Sequence, residues 1–134
     1  MRQVVITKAG GPQVLQVRES PDPSAGAGEV RVRVKAAGIN FADLMARMGL
    51  YPDAPKIPCV VGYEVSGVID QVGAGVTAYK VGDRVIGVPK FGGYTDTLVV
   101  PEPNVLPMPE RMSFEEGAGF PVVYLTAHHM LLFV

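Results

Sequence analysis

The sequence predicts a mainly β, barrel-like domain with short helices, on three observations. Its 134 residues make one domain's worth of chain, enough to bury a single core. Sixteen glycines and twelve prolines punctuate it, so turns come often and strands stay short. Apolar and polar residues alternate with a period of two in the clearest run, and only two segments carry helix signals. The pattern predicts about seven or eight short strands with two helices.

In chain order, residues 4–7 read as a first strand, Gly10-Gly11-Pro12 as a turn, and Val14, Leu15 and Val17 as the returning strand of a hairpin. Residues 20–28 (SPDPSAGAG) are loop by composition. In residues 29–36, Val30, Val32, Val34 and Ala36 alternate with Arg31, Arg33 and Lys35, so one face is buried and the other is wet. The period changes after Gly38. Phe41, Leu44, Met45 and Met48 fall at i, i+3, i+4 and i+7 and predict a helix with that face inward, capped by Asn40 and ended by Gly49. Asp43 places a negative charge in its first turn.

Three prolines make residues 51–58 an extended loop. Strands follow at about 62–72 and 84–88, separated by turns at Gly73-Ala74-Gly75 and Gly82-Asp83. Residues 94–100 read as another strand, and four prolines break residues 101–109. Ser113 and Glu116 form an S-x-x-E capping box that opens a last helix. Phe114, Ala118 and Gly119 fall on its inner face, and Pro121 predicts a kink or a restart.

Composition excludes several functions. Twelve Lys plus Arg against thirteen Asp plus Glu leave a net charge of −1, with no electrostatic footprint for nucleic acid or anionic lipid. No apolar run approaches the ~18 residues of a membrane span, and no secretory h-region opens the chain. The single cysteine forbids an internal disulfide and fits a reducing, cytoplasmic setting. Residues 130–134 (MLLFV) form an apolar run with no polar exit, Gly cap or Pro, which reads as a truncation and predicts self-association.

The chemistry narrows in the same way. A catalytic zinc needs three N, S or O ligands. One Cys and two adjacent His do not supply them, because helical neighbours point about 100° apart. His128 and His129 are expected to be one partly buried and one exposed. Cys59 reads as a buried, inert thiol, and Ser66 lies in a strand, away from any nucleophile elbow. Gly73-Ala74-Gly75 gives only G-x-G with no helix behind it, so it is a turn and no phosphate cradle. Three polar spots remain. Asn40 and Asp43 are either plain caps or site residues. Glu64, beside Tyr63, enters a buried strand and must bond to Arg84 or to backbone amides. Thr126 is expected on the inner side of the last helix, where it either serves a site or bonds back to a carbonyl one turn earlier.

Taken together, A-G-I-N-F-A-D-L-M-A-R-M-G-L-Y, V-G-Y-E-V-S-G-V-I, V-G-A-G-V, K-V-G-D-R-V and S-F-E-E-G-A-G-F-P-V-V-Y-L-T-A resemble the N-terminal half of medium-chain dehydrogenase/reductases. Within that superfamily the chain is most similar to the zinc-independent quinone oxidoreductase (ζ-crystallin-like) branch, close to synaptic-vesicle membrane protein homologues. The resemblance implies a GroES-like β-barrel over residues 1–134, with the Rossmann domain and its phosphate loop absent from this sequence. It implies a cytoplasmic, NADPH-dependent reductase of quinones or α,β-unsaturated carbonyls, a homodimer when full length. A non-catalytic binding module on the same scaffold is the alternative. Zinc-dependent relatives carry Cys and His where this chain has Asn40 and Tyr63, and a four-cysteine lobe where it has residues 88–93. By position, Asn40 and Tyr51 line the catalytic cleft, Asn40, Asp43 and Thr126 serve the cofactor, and no residue binds metal. Tyr63 departs from the small or polar residue common in quinone reductases.

Overall fold

A computed structural model describes all of residues 1–134. The hairpin forms as its residues predict: β1 (Arg2–Ile6) pairs antiparallel with β2 (Leu15–Glu19), Arg2 facing Glu19 and Ile6 facing Leu15. Five more strands make a second antiparallel sheet: β3 (Glu29–Ala37), β4 (Val65–Val72), β5 (Arg84–Gly87), β6 (Thr97–Pro101) and β7 (Val105–Pro107). Their spatial order is β6-β3-β4-β5-β7. Register shifts between Arg31 and Val32, and between Val34 and Ala36, bend β3 and curl the sheet into a half-barrel. Bridges Gln3↔Thr95 and Ile6↔Cys59 fasten the hairpin to it.

The alternation in β3 does what it predicts. Val30 and Val32 are fully buried in a core with Ile69, Val85, Val100 and Val105, while Arg33 and Lys35 are exposed. A second core joins Ile6, Val14, Ala46, Cys59 and Val61 beneath the hairpin. Cys59 is therefore the buried thiol expected, and burial raises its pKa.

Several of these expectations need correction. The helix α1 (Phe41–Arg47) forms, but with another face inward: Phe41 is 75% exposed, and Asp43 and Ala46 are the buried residues. The strand expected at 62–72 begins at Val65, and the one at 94–100 begins at Thr97. An unexpected strand, β7, runs through the proline-rich segment; it lies at the sheet edge, where Pro107 needs no ladder N–H. Of the kink or restart expected at Pro121, the structure shows the restart, giving α2 (Phe114–Ala118) and α3 (Pro121–Leu132). Gly119 is exposed at the α2 C-cap, and Gly117 takes the inner place instead, where a Cβ would stand 2.7 Å from Met108 Sδ.

Candidate functional site

The site lies where β3 hands over to α1. Gly38 N donates to Glu64 O at 3.0 Å, holding the end of β3 against the segment that leads into β4. A side chain at 38 would collide with Glu64 Oε1 and the Ala118 carbonyl, so only glycine lets these three segments meet. Asn40 then caps α1 in an extended conformation, φ −116° and ψ 158°.

From this cap a polar network runs inward. Asn40 N donates to Asp43 Oδ2 at 2.9 Å, and Asn40 Nδ2 donates to Glu64 Oε1 at 2.9 Å. Gly62 N donates to Asp43 Oδ1 at 3.1 Å, Tyr94 Oη to Asp43 Oδ2 at 2.9 Å, and Val122 N to Glu64 Oε2 at 2.8 Å. Asp43 is 4% exposed and Glu64 1%, and neither takes part in an ion pair. Their burial is sustained by donors alone: each of the four carboxylate oxygens accepts at least one hydrogen bond. Burial, then the bond to Asp43, holds the Tyr94 phenol well above its ordinary pKa.

Glu64 thus has the backbone-amide partner anticipated for it, in Val122, but not Arg84. Arg84 pairs with Val68 further along β4, its guanidinium donating to the carbonyls of Glu110 and Met112 and lying 4.8 Å over the Phe114 ring. The Asn40 amide and Tyr94 were not anticipated as partners, and Tyr94 lies 51 residues from Asp43, beyond any spacing rule.

Tyr63 sits between Gly62 and Glu64. Its ring packs against Phe91, centroids 5.4 Å apart, and edge-on to Tyr51 at 6.4 Å and 85°. Its hydroxyl is buried and has no hydrogen-bond partner. Burial raises the Tyr63 pKa well above the ordinary phenol range; the neighbouring Tyr51 adds to this, although the two hydroxyls do not bond. Tyr51 itself is half-buried in its proline-rich loop.

Asn40, Asp43, Glu64 and Tyr94 are therefore joined directly, and Tyr51 is brought beside Tyr63. Thr126 is not on an inner side: beyond Val122 every residue of α3 is exposed, because no element of this chain packs on it. Thr126 lies one helical turn beyond Val122, the residue whose N–H holds Glu64. His128 and His129 are both exposed, packed on the Phe133 ring, so neither is the partly buried histidine expected. Ser66 Oγ donates to the Phe114 carbonyl and ties β4 to α2. No three His, Cys, Asp or Glu side chains converge. Gly73-Ala74-Gly75 is a turn after β4, with no helix behind it. No helix is long and apolar enough to cross a membrane.

A curled half-barrel with a glycine-bounded polar junction at its β3–α1 corner is the architecture of a GroES-like domain. The chain belongs to the alcohol dehydrogenase GroES-like domain family, which residues 26–110 match. Its relatives are medium-chain dehydrogenase/reductases. It is 48% identical to the zebrafish (Danio rerio) synaptic vesicle membrane protein VAT-1 homolog over 132 residues, 97% of this chain and 27% of that protein. It is 37% identical over 131 residues to a Pseudomonas aeruginosa quinone oxidoreductase, 97% of this chain and 40% of that protein. Among solved structures, the human VAT-1 homolog-like protein superposes with a TM-score of 0.94 at 39% identity, over 98% of this chain and 43% of that one. Escherichia coli quinone oxidoreductase complexed with NADPH superposes at 0.92 and 34% identity, over 99% of this chain and 41% of that one. The chain thus spans between 27% and 40% of the length of these curated relatives.

Proposed function

We propose that residues 1–134 form the substrate side of a zinc-independent, NADPH-dependent oxidoreductase that reduces quinones or α,β-unsaturated carbonyls by hydride transfer. The chain offers no phosphate cradle, so most of the cofactor belongs on a nucleotide-binding domain outside these residues. The quinone oxidoreductase relatives, one of them an NADPH complex, support this reading. The same proposal takes the whole protein to be a cytoplasmic homodimer.

The observation that carries it is the clamped amide of Asn40. An amide nitrogen has two hydrogens, and Glu64 fixes one of them at 2.9 Å. The other is left in a fixed direction for a ligand oxygen. Asn40 and exposed Thr126 are suited to hold the nicotinamide end of the cofactor, which supplies a hydride when bound. Asp43, buried with both oxygens engaged, holds Asn40 from behind. A hydride delivered to an acceptor carbon would form a C–H bond there, and the displaced π electrons would collect on the carbonyl oxygen. One proton from solvent then completes the hydroquinone or saturated carbonyl. Asn40 and the Tyr51 hydroxyl position that oxygen and stabilise its charge, and no Lewis acid is needed because the acceptor is already electron-poor.

Full-length protein provides the test. Asn40→Ala and Tyr51→Phe are expected to lower kcat/KM for para-benzoquinone roughly 10- to 100-fold. Unchanged activity in both would remove these residues from the site. Failure to bind NADPH at millimolar concentration, followed by fluorescence, would favour a non-catalytic binding module, a reading kept open by the likeness to synaptic vesicle membrane protein homologs.

A further inference from the structure

Tyr63 Oη is the only buried side-chain polar atom in the structure without a hydrogen-bond partner. Burying an unpaired hydroxyl is unfavourable, and a phenylalanine would fill the same space without that penalty. The group is also held firmly. On one side of Tyr63 the Gly62 N–H is bonded to Asp43, and on the other the Glu64 carboxylate is bonded to Asn40 and Val122. Phe91 and Tyr51 fix the ring between them. An unpaired donor so placed, with a second phenol beside it, is a preorganised receptor for an oxygen atom.

We propose that Tyr63 is a second phenol donor of the cleft, and that Tyr63 and Tyr51 together hold the one carbonyl or quinone oxygen that gains charge on reduction. This rests on the oxidoreductase reading above. The two rings meet edge to face, and the Tyr63 hydroxyl is left without a bond to Tyr51 or to any other group. Phe91 closes the apolar side and shields the developing charge from solvent. Burial raises the Tyr63 pKa, so its phenol stays protonated through neutral pH and remains a donor.

The test compares Tyr63→Phe, Tyr51→Phe and the double variant in full-length protein, with para-benzoquinone as acceptor. Tyr63→Phe should lower kcat about 10- to 100-fold while NADPH affinity, read by fluorescence titration, stays within about twofold. Its melting temperature should hold or rise by a few degrees, because an unpaired hydroxyl has been removed, so lost activity is not lost structure. The double variant should lose less than the product of the single losses, since both groups act on one oxygen. Turnover by Tyr63→Phe within about twofold of the parent overturns the assignment and leaves the oxidoreductase reading standing. Fully multiplicative losses overturn the shared oxygen. A parent protein that binds NADPH yet reduces no quinone or enone overturns the oxidoreductase reading, and this assignment falls with it.

Discussion

Asn40 bridges two buried carboxylates: its side-chain amide donates to Glu64 Oε1 and its backbone N–H to Asp43 Oδ2, each at 2.9 Å. One cap residue therefore fixes both the start of α1 and the segment leading into β4. It also fixes the rotation of the helix. With Asp43 turned inward to Gly62 and Tyr94, the residue one turn on, Ala46, is carried inward as well, and Phe41 is carried out.

Glu64→Gln should destabilise the domain by about 1–3 kcal/mol, measured as a lower urea midpoint. Two donors converge on this side chain, the Asn40 amide on one oxygen and the Val122 N–H on the other. Glutamine has only one oxygen, so its NH2 must face a donor whichever way it is turned. A midpoint equal to that of the parent would mean that one of the two bonds is absent in solution.

Gly38→Ala should cost about 1–3 kcal/mol as an overpacked position. The added methyl would collide with Glu64 Oε1 and the Ala118 carbonyl, and the carbonyl cannot retreat without moving α2. Glu64 must then give way and weaken its bond to Asn40. A normal melting temperature in this variant would show that the junction is looser than described.

Tyr94 predicts an alkaline limit to stability. Its phenol is raised above the ordinary value of 10.0, first by burial and then by its bond to Asp43. The folded state holds that proton more tightly, so the contribution is whole below about pH 10 and is lost as pH rises toward the folded value. Denaturation midpoints should be flat across neutral pH and fall above about pH 10. Tyr94→Phe should be weaker at neutral pH by about 1–2 kcal/mol yet decline less steeply above pH 10. Tyr63, Tyr79 and Cys59, also raised by burial, leave a residual slope. An alkaline decline identical in the variant would assign the effect to those groups alone.

What was legible in the sequence was what depends on near neighbours. The β3 alternation, the hairpin, and the Ser113–Glu116 box, whose bonds measure 2.8 and 3.1 Å, are all set within a few residues. Asn40 and Asp43 were legible as a capped junction for the same reason. The buried face of α1 was not, because counting apolar residues assigns Phe41 inward, whereas the acceptors of Asp43 are answered by Gly62 and Tyr94, 19 and 51 residues away. Of the two partners expected for Glu64, Arg84 or backbone amides, the amide of Val122 is the one found, because strand register places Arg84 opposite Val68. Register is set by the whole sheet and cannot be read from one strand. The unpartnered hydroxyl of Tyr63 left no sequence signal at all, since being unpaired is a property of the surroundings.

The α3 surface leads to a last expectation. Val123, Leu125, Met130, Leu131 and Phe133 are all more than half exposed, and they are distributed around the helix rather than along one stripe. Neighbouring apolar side chains without cover are an association surface, and the gain on covering them is roughly 25 cal/mol for each Å² removed from water. Residues 1–134 should therefore self-associate with rising concentration, detectable by light scattering or sedimentation. Leu131→Glu with Phe133→Glu should shift the chain toward monomer and leave its melting temperature unchanged, because neither side chain contributes to either core. The charges act only on the association. A parent chain that scatters as a clean monomer across the concentration range would show that α3 covers its own apolar residues in solution, and that its exposed conformation is not the one populated there.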